Sequence, residues 1–184
     1  LDLVHVYGAG GSYPHLSVRV GAGASLTLTE HYPATESAEA LVMAVADLNI
    51  ERDARLHHLT LQSAGSRTIL LGDCRVRIGA GGEHQHRSIT VGGQLSRINL
   101  EVELGGRGAS TDLRGIFLAD GERQHHLRTE VRHNAPDCSS EQVYRGVASD
   151  RGRGSYDGKV VVSAGANGTA SRQSSRNLLL SDTA

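Results

Sequence analysis

The sequence has few of the residues that usually cross-link a small domain or fill its core. Its 184 residues include 2 cysteines, 3 prolines, 1 phenylalanine and no tryptophan. Cys74 and Cys138 lie far apart and form no Cys-x-x-Cys motif, which excludes a disulfide scaffold and a zinc-finger spacing. The scarcity of aromatic residues favours a core packed by Val, Leu, Ile and Ala.

The chain also lacks a strong charge bias and a long apolar run. The formal net charge is −1, so neither nucleic acid nor an anionic membrane surface is an expected partner. No apolar run approaches the roughly 20 residues that span a bilayer, and no signal peptide is visible. Together with the cysteine usage, these features predict a cytoplasmic protein.

Glycine, by contrast, is abundant at 23 residues, and it divides the chain into short β-like runs. Residues 98–104 alternate apolar and polar side chains, the pattern of a half-buried strand. Residues 115–159 hold three such runs (115–119, 127–132 and 142–147), each closed by turn residues, and Asp120-Gly121 and Asp157-Gly158 are turn dipeptides. Residues 35–50 suit a helix by composition and a strand buried on both faces by pattern; we expect mainly strand, because strands surround them.

Small-residue corners recur at a regular interval. Ala24, Ala54, Gly82 and Ala109 are 30, 28 and 27 residues apart. A period of this length without helical filler indicates a solenoid, in which each coil stacks in parallel on the previous one. The alternative is an antiparallel sandwich, which would place turns every 8–12 residues or so.

Seven short motifs follow one another in a characteristic order. They are ASLTLTEHY (24–32), ARLHHLTLQ (54–62), GIFLADG (115–121), HNAPDCSS (133–140), YRG (144–146), GKV (158–160) and QSSRNLLLSD (173–182). As an ordered set they resemble the SufB/SufD family of iron–sulfur cluster assembly proteins, and within it the SufD branch most closely.

The resemblance implies an all-β fold, a right-handed parallel β-helix flattened into a two-layer β-solenoid, as one core domain over residues 1–184. It implies a non-enzymatic scaffold subunit that pairs with SufB-like and SufC-like subunits, SufC being the ATPase. In the family, a Cys-x-His-Gly motif and a helical domain come after this point, so we expect a core fragment. Iron or an iron–sulfur cluster would then enter only in the full complex.

The candidate metal ligands are Cys138 and His133. Cys138 stands where the family pattern has a cysteine, and thiolates are the usual cluster ligands. His133 precedes it by five positions. Two cysteines cannot supply four thiolates, and the alternative is a structural cysteine near a corner. Cys74 is expected to be a small buried residue inside a strand.

Six of the ten histidines form close pairs: His57-His58, His84/His86 and His125-His126. In a strand, positions i and i+2 share a face, so His84 and His86 could bind one metal ion, whereas adjacent histidines point apart. Without a neighbouring carboxylate or thiolate such a site is weak. We therefore expect these histidines to be solvated at the surface.

Three functions remain open from the sequence: the scaffold subunit, a carbohydrate-active β-helix enzyme, and a structural solenoid without partner chemistry. No catalytic residue is predicted, because the acidic residues are dispersed at corners. We also expect self-association through the edge of a C-terminal strand near residues 177–181, since unpaired strand edges invite pairing.

Overall fold

The structure, a computed structural model, describes residues 1–34 and 39–184, which form 14 β-strands and no helix. The strands are β1 (Asp2–Val4), β2 (Gly10–Ser12), β3 (His15–Val20), β4 (Ser25–Tyr32), β5 (Ala40–Ile50), β6 (Arg55–Gln62), β7 (Thr68–Ile78), β8 (Glu83–Thr90), β9 (Leu95–Leu104), β10 (Ser110–Ala119), β11 (Gln124–His133), β12 (Ser139–Ala148), β13 (Arg153–Val162) and β14 (Ala170–Leu179).

Successive strands enter two opposite sheets. One sheet has the order β1-β4-β6-β8-β10-β12-β14, and the other β13-β11-β9-β7-β5-β2, with β3 also paired to β5. Among the described residues every strand pairing is parallel. The chain is therefore a flattened parallel β-solenoid of about six turns, as predicted, and not an antiparallel sandwich.

The predicted corner residues occupy one column of the solenoid. The carbonyl of Ala54 accepts a 2.9 Å hydrogen bond from the Glu83 amide in the next turn, and the carbonyl of Gly82 accepts a 3.0 Å bond from Ser110. Only small side chains fit, because the backbone bends sharply here and the next turn lies directly above. The same ladder continues to Cys138, whose carbonyl accepts a 3.0 Å hydrogen bond from the Ala170 amide.

Two sequence predictions about local structure need correction. Asp120-Gly121 forms a corner, with Gly121 at a φ of 62°, but Asp157-Gly158 lies inside β13. A side chain at position 158 would collide with Tyr156 and Gln173, so this glycine makes room for packing and does not form a turn.

Strand β5 confirms the strand prediction for residues 40–50, while residues 35–38 lie outside the described part. The expected burial on both faces is wrong. Val42, Ala44 and Ala46 point inward, but Met43 and Val45 on the outer face are 42% and 37% exposed.

Two large aromatic side chains, Phe117 and Tyr144, are buried in the C-terminal half of the solenoid, and glycines make space for their rings. A side chain at Gly146 or Gly154 would overlap Phe117, and one at Gly115 would overlap Tyr144. Polar side chains also lie between the sheets, among them Glu30 and His58 in the N-terminal half and Thr129 and Gln142 in the C-terminal half.

Candidate functional site: a buried histidine cluster

In part of the interior, polar side chains from one sheet lie opposite small residues of the other sheet. In β6 and β8 the inward positions after Leu56 are polar, and the strand register aligns His58 with His86 and Leu56 with His84. Opposite them, the second sheet presents the small residues Ala44, Ala46 and Gly72, which border a cavity of about 70 Å³.

Glu30 on β4 lies at one side of this interior and is only 4% exposed. Its carboxylate accepts hydrogen bonds from His58 Nε2 at 2.8 Å and His5 Nε2 at 3.0 Å, and from the Tyr32 hydroxyl at 3.3 Å. Burial alone would raise the pKa of Glu30, but the bonds from His5 and His58 outweigh it and lower the pKa to about 2. The carboxylate is therefore ionised at neutral pH, and both imidazoles must present N–H groups to it.

His58, His84 and His86, which we call the histidine triad, lie next to Glu30. These three residues are 3%, 1% and 6% exposed, respectively. The ring centroids are 4.7 Å apart for His58 and His86, 6.1 Å for His84 and His86, and 6.3 Å for His58 and His84.

Each imidazole of the histidine triad has one nitrogen engaged and one unengaged. The engaged contacts are His58 Nε2 with Glu30 at 2.8 Å, His86 Nε2 with Thr60 Oγ1 at 3.2 Å and His84 Nδ1 with Thr111 Oγ1 at 3.2 Å. The other nitrogens, His58 Nδ1, His86 Nδ1 and His84 Nε2, are buried without a hydrogen-bond partner in residues 1–34 and 39–184. An unpaired buried polar atom costs about 1–3 kcal/mol, so three in one place are unusual.

Burial also determines the protonation of the rings. It lowers the pKa of His84 to about 3 and that of His86 well below its ordinary value, with the neighbouring His58 adding to both effects. Both imidazoles are therefore neutral at pH 7 and carry a lone pair. The thiol of Cys74 lines the same cavity, and burial raises its pKa, so it is protonated.

A family model for the SUF system FeS cluster assembly SufBD core domain matches residues 5–184. The chain belongs to the SufBD family. An iron-sulfur cluster assembly SufBD family protein of Mycobacterium tuberculosis is 28% identical over 179 residues, which cover 93% of this chain and 44% of that protein.

Two further relatives come from other kinds of organism. The iron-sulfur cluster assembly protein SufD of Escherichia coli is 24% identical over 166 residues, covering 90% of this chain and 39% of SufD. The chloroplastic protein ABCI7 of Arabidopsis thaliana is 26% identical over 171 residues, covering 92% and 36%. The SufBD core described here thus spans less than half the length of these relatives. The described residues contain no helix that could span a lipid bilayer.

The two predicted metal ligands of the SufBD core lie in different surroundings. Cys138 is 1% exposed in the corner column, and its Sγ is 3.3 Å from the carbonyl oxygen of Gly106 and 3.7 Å from that of Pro136. His133 Nε2 is 2.9 Å from Ser140 Oγ inside the solenoid. A role for Cys138 and His133 as metal ligands stays a prediction.

The prediction for the paired histidines is wrong for most of them. His58, His84, His86 and His125 are buried, and only His57 and His126 lie at the surface. The alternation within β6 and β8 could have predicted this burial. His58 lies two positions after the buried Leu56, and His86 lies two positions after His84, so each pair points to the same side of its strand. Glu30, His58 and His86 are also 28 positions apart, which equals one turn. As the side chains stand, no group of three or more His, Cys, Asp or Glu residues in the described ranges is arranged to hold a metal ion.

Proposed function

We propose that this chain is the core of a SufD-like scaffold subunit, which pairs with a SufB-like subunit and works with a SufC-like ATPase in iron–sulfur cluster assembly. The observation that carries the proposal is the match of the SufBD core model to residues 5–184, together with the parallel β-solenoid. The similarity to Escherichia coli SufD supports the SufD branch.

The surface chemistry favours a scaffold over the carbohydrate-active enzyme. Two carboxylates on the outer sides of the sheets, Asp112 and Glu130, are paired with cations, which makes them less available to act on a sugar. Asp112 is paired with Arg87 at 2.7 Å and with Arg114 at 3.0 Å. Glu130 on the opposite sheet is surrounded by cationic groups of Arg128, Arg132 and Lys159.

The final turn offers a surface for pairing with another SufBD core. Strands β13 and β14 each pair on one side only within the described residues, and Val162, Leu178 and Leu179 are more than half exposed beside them. A parallel strand from a partner would satisfy the unpaired backbone groups and cover this apolar surface. A SufB-like core is the partner we propose, and a second copy of this chain is the alternative occupant.

Co-purification tests the proposal. The whole protein is co-expressed with a SufB-like and a SufC-like subunit from the same source, and only the SufB-like subunit carries an affinity tag. We expect a stable complex that contains this chain. Retention of the SufC-like subunit with no trace of this chain, at matched expression, would contradict the proposal. Depolymerisation of an acidic polysaccharide by the untagged protein would favour the enzyme.

A further inference from the structure

We propose that the cavity beside His58 and His86 is a binding site for a small neutral molecule that both accepts and donates hydrogen bonds, and that water is its occupant. The bound molecule accepts a hydrogen bond from Nδ1 of His86 and donates one to Nδ1 of His58. The inference does not depend on the scaffold function proposed above. It rests on the unpartnered polar atoms at the cavity, on the proton positions that their neighbours impose and on the cavity volume.

Three buried polar atoms in the wall of the cavity have no hydrogen-bond partner within the part of the chain that the structure describes. They are Nδ1 of His58, Nδ1 of His86 and Oγ of Ser88, and all three residues line the cavity. His58 and His86 are aligned in the register of β6 and β8, with ring centroids 4.7 Å apart, and Ser88 follows His86 by two positions. Buried polar groups in proteins are nearly always hydrogen-bonded, so these atoms indicate a bound molecule.

The contacts of the two Nε2 atoms determine where the protons of the rings lie. His58 Nε2 donates to the ionised carboxylate of Glu30 at 2.8 Å, so a neutral His58 ring keeps its lone pair at Nδ1. The Thr60 hydroxyl is 3.3 Å from His58 Nε2 and 3.2 Å from His86 Nε2. Because His58 Nε2 already carries a proton, the hydroxyl donates its own proton to His86 Nε2, and the neutral His86 ring then has its proton on Nδ1. An acceptor from His58 and a donor from His86 thus border the same cavity.

The size and the walls of the cavity determine the class of ligand. Its volume of about 70 Å³ exceeds the roughly 15 Å³ that one water molecule needs and is far below the 300 Å³ or so of an ordinary ligand pocket. The opposite sheet contributes apolar side chains to the wall, among them Ala46, Ile98 and Leu100. A charged ligand would lose its hydration against this apolar wall, which favours a neutral one. Water is neutral, small enough, and both a donor and an acceptor.

The experiment uses nuclear magnetic resonance on the isotope-labelled whole protein. Nitrogen chemical shifts show which ring nitrogens carry protons, and we expect a bare Nδ1 in His58 and a protonated Nδ1 in His86. Nuclear Overhauser contacts should join a long-lived water molecule to the methyl group of Ala46, which lines the cavity, and not to that of Ala119, which is buried elsewhere in the solenoid. Xenon under pressure should leave the Ala46 methyl shift unchanged, because xenon enters dry apolar cavities.

A pair of variants on one strand tests the cavity itself. Ala46→Leu extends into the cavity and should abolish the water contact to the Ala44 methyl group, whereas Val45→Leu on the outer face of β5 should keep it. Equal water contacts in the two variants would overturn the proposal. So would a bare Nδ1 in wild-type His86, or a xenon-induced shift of the Ala46 methyl without a water contact, which would show a dry cavity. If Ala46→Leu does not fold, these wild-type measurements decide alone.

Discussion

His58 Nε2 lies 2.8 Å from Glu30 Oε1, and the two residues are 28 positions apart, one turn of the solenoid. The contact therefore joins successive turns through their side chains, inside the stack, in addition to the backbone ladder between β4 and β6. Since the carboxylate also accepts bonds from His5 and Tyr32, it ties three segments of the N-terminal half together.

Replacement of Glu30 should destabilise the fold. In Glu30→Gln the amide group faces N–H and O–H donors that need acceptors, so we expect the free energy of unfolding to fall by about 3 kcal/mol. Chemical denaturation monitored by circular dichroism measures this. Glu101→Gln on the outer face of β9 is the control and should stay within about 0.5 kcal/mol of the wild type. Equal losses for the two variants would contradict the role of Glu30.

Low pH should reduce the free energy of unfolding, because buried histidines are harder to protonate in the folded chain than in the unfolded chain. His125 donates from Nε2 to the Leu118 carbonyl at 3.0 Å, and burial lowers its pKa from 6.5 to about 4. The unfolded chain takes up a proton as the pH falls through 6.5, whereas the folded chain does so only near 4. Stability is therefore lost between these values, by up to about 1.4 kcal/mol per pH unit for this group.

His125→Gln isolates that contribution. Urea denaturation of both proteins at pH 5.0, 6.0 and 8.0 should show a shallower loss of stability below pH 6.5 for the variant. At pH 8.0 His125 is neutral in both states, so the difference between the two proteins should no longer depend on pH. Parallel stability curves from pH 8.0 to 5.0 would show that His125 is not the titrating group.

Two glycines in one corner should respond differently to alanine. Gly108 has a φ of 72° and open space around it, so Gly108→Ala costs only the strained backbone conformation, about 1 kcal/mol. A side chain at Gly106 would collide with the backbone of Ala80 in the previous turn, and Gly106→Ala should cost about 3 kcal/mol. Thermal unfolding of the pair gives the order, and a reversed order would contradict the stacked corner.

The structural role of Cys138 and the chemical role of its thiol can be tested separately. Ala54 and Ala109 fill the same column in earlier turns, so Cys138→Ala should lower the free energy of unfolding by only about 1 kcal/mol. Cys138→Leu should cost more, about 3 kcal/mol, because the corner has no room. Cluster assembly by the full complex with Cys138→Ala then reports on the thiol alone: loss of assembly would support a ligand role, and full assembly would leave a packing role.

The edge of β14 that has no partner strand among the described residues should control association. Ala170 and Leu180 donate their amides to the β12 side, so the odd-numbered amides between them face the unpaired edge. Ser175→Pro removes one of these donors without breaking a bond to β12, whereas Ser175→Ala keeps it. By light scattering over a concentration series, we expect the proline variant to associate less than the alanine variant and the wild type. A wild type that stays monomeric at high concentration would rule out self-pairing.

The sequence by itself determined the parallel solenoid. Glycine and alanine corners at intervals of 27 to 30 residues can be read without coordinates, because a stacked turn needs a small residue at the same place in every repeat. Alternation within residues 98–104 likewise identified the inward side chains of β9. The corner predicted at Asp157-Gly158 failed because glycine serves two purposes, and only the packing against Tyr156 and Gln173 tells a turn from a close approach.

Only the tertiary structure decided what lies inside the turns. Histidine is a polar residue, so polarity alone predicts that His58, His84 and His86 are exposed at the surface. Their burial follows from strand parity, from the register between β6 and β8, and from the small residues Ala44 and Gly72 on the opposite sheet, which leave space for imidazole rings. These contacts are made between residues in different turns and different sheets. The distances between such residues are fixed only when the chain has folded into the solenoid.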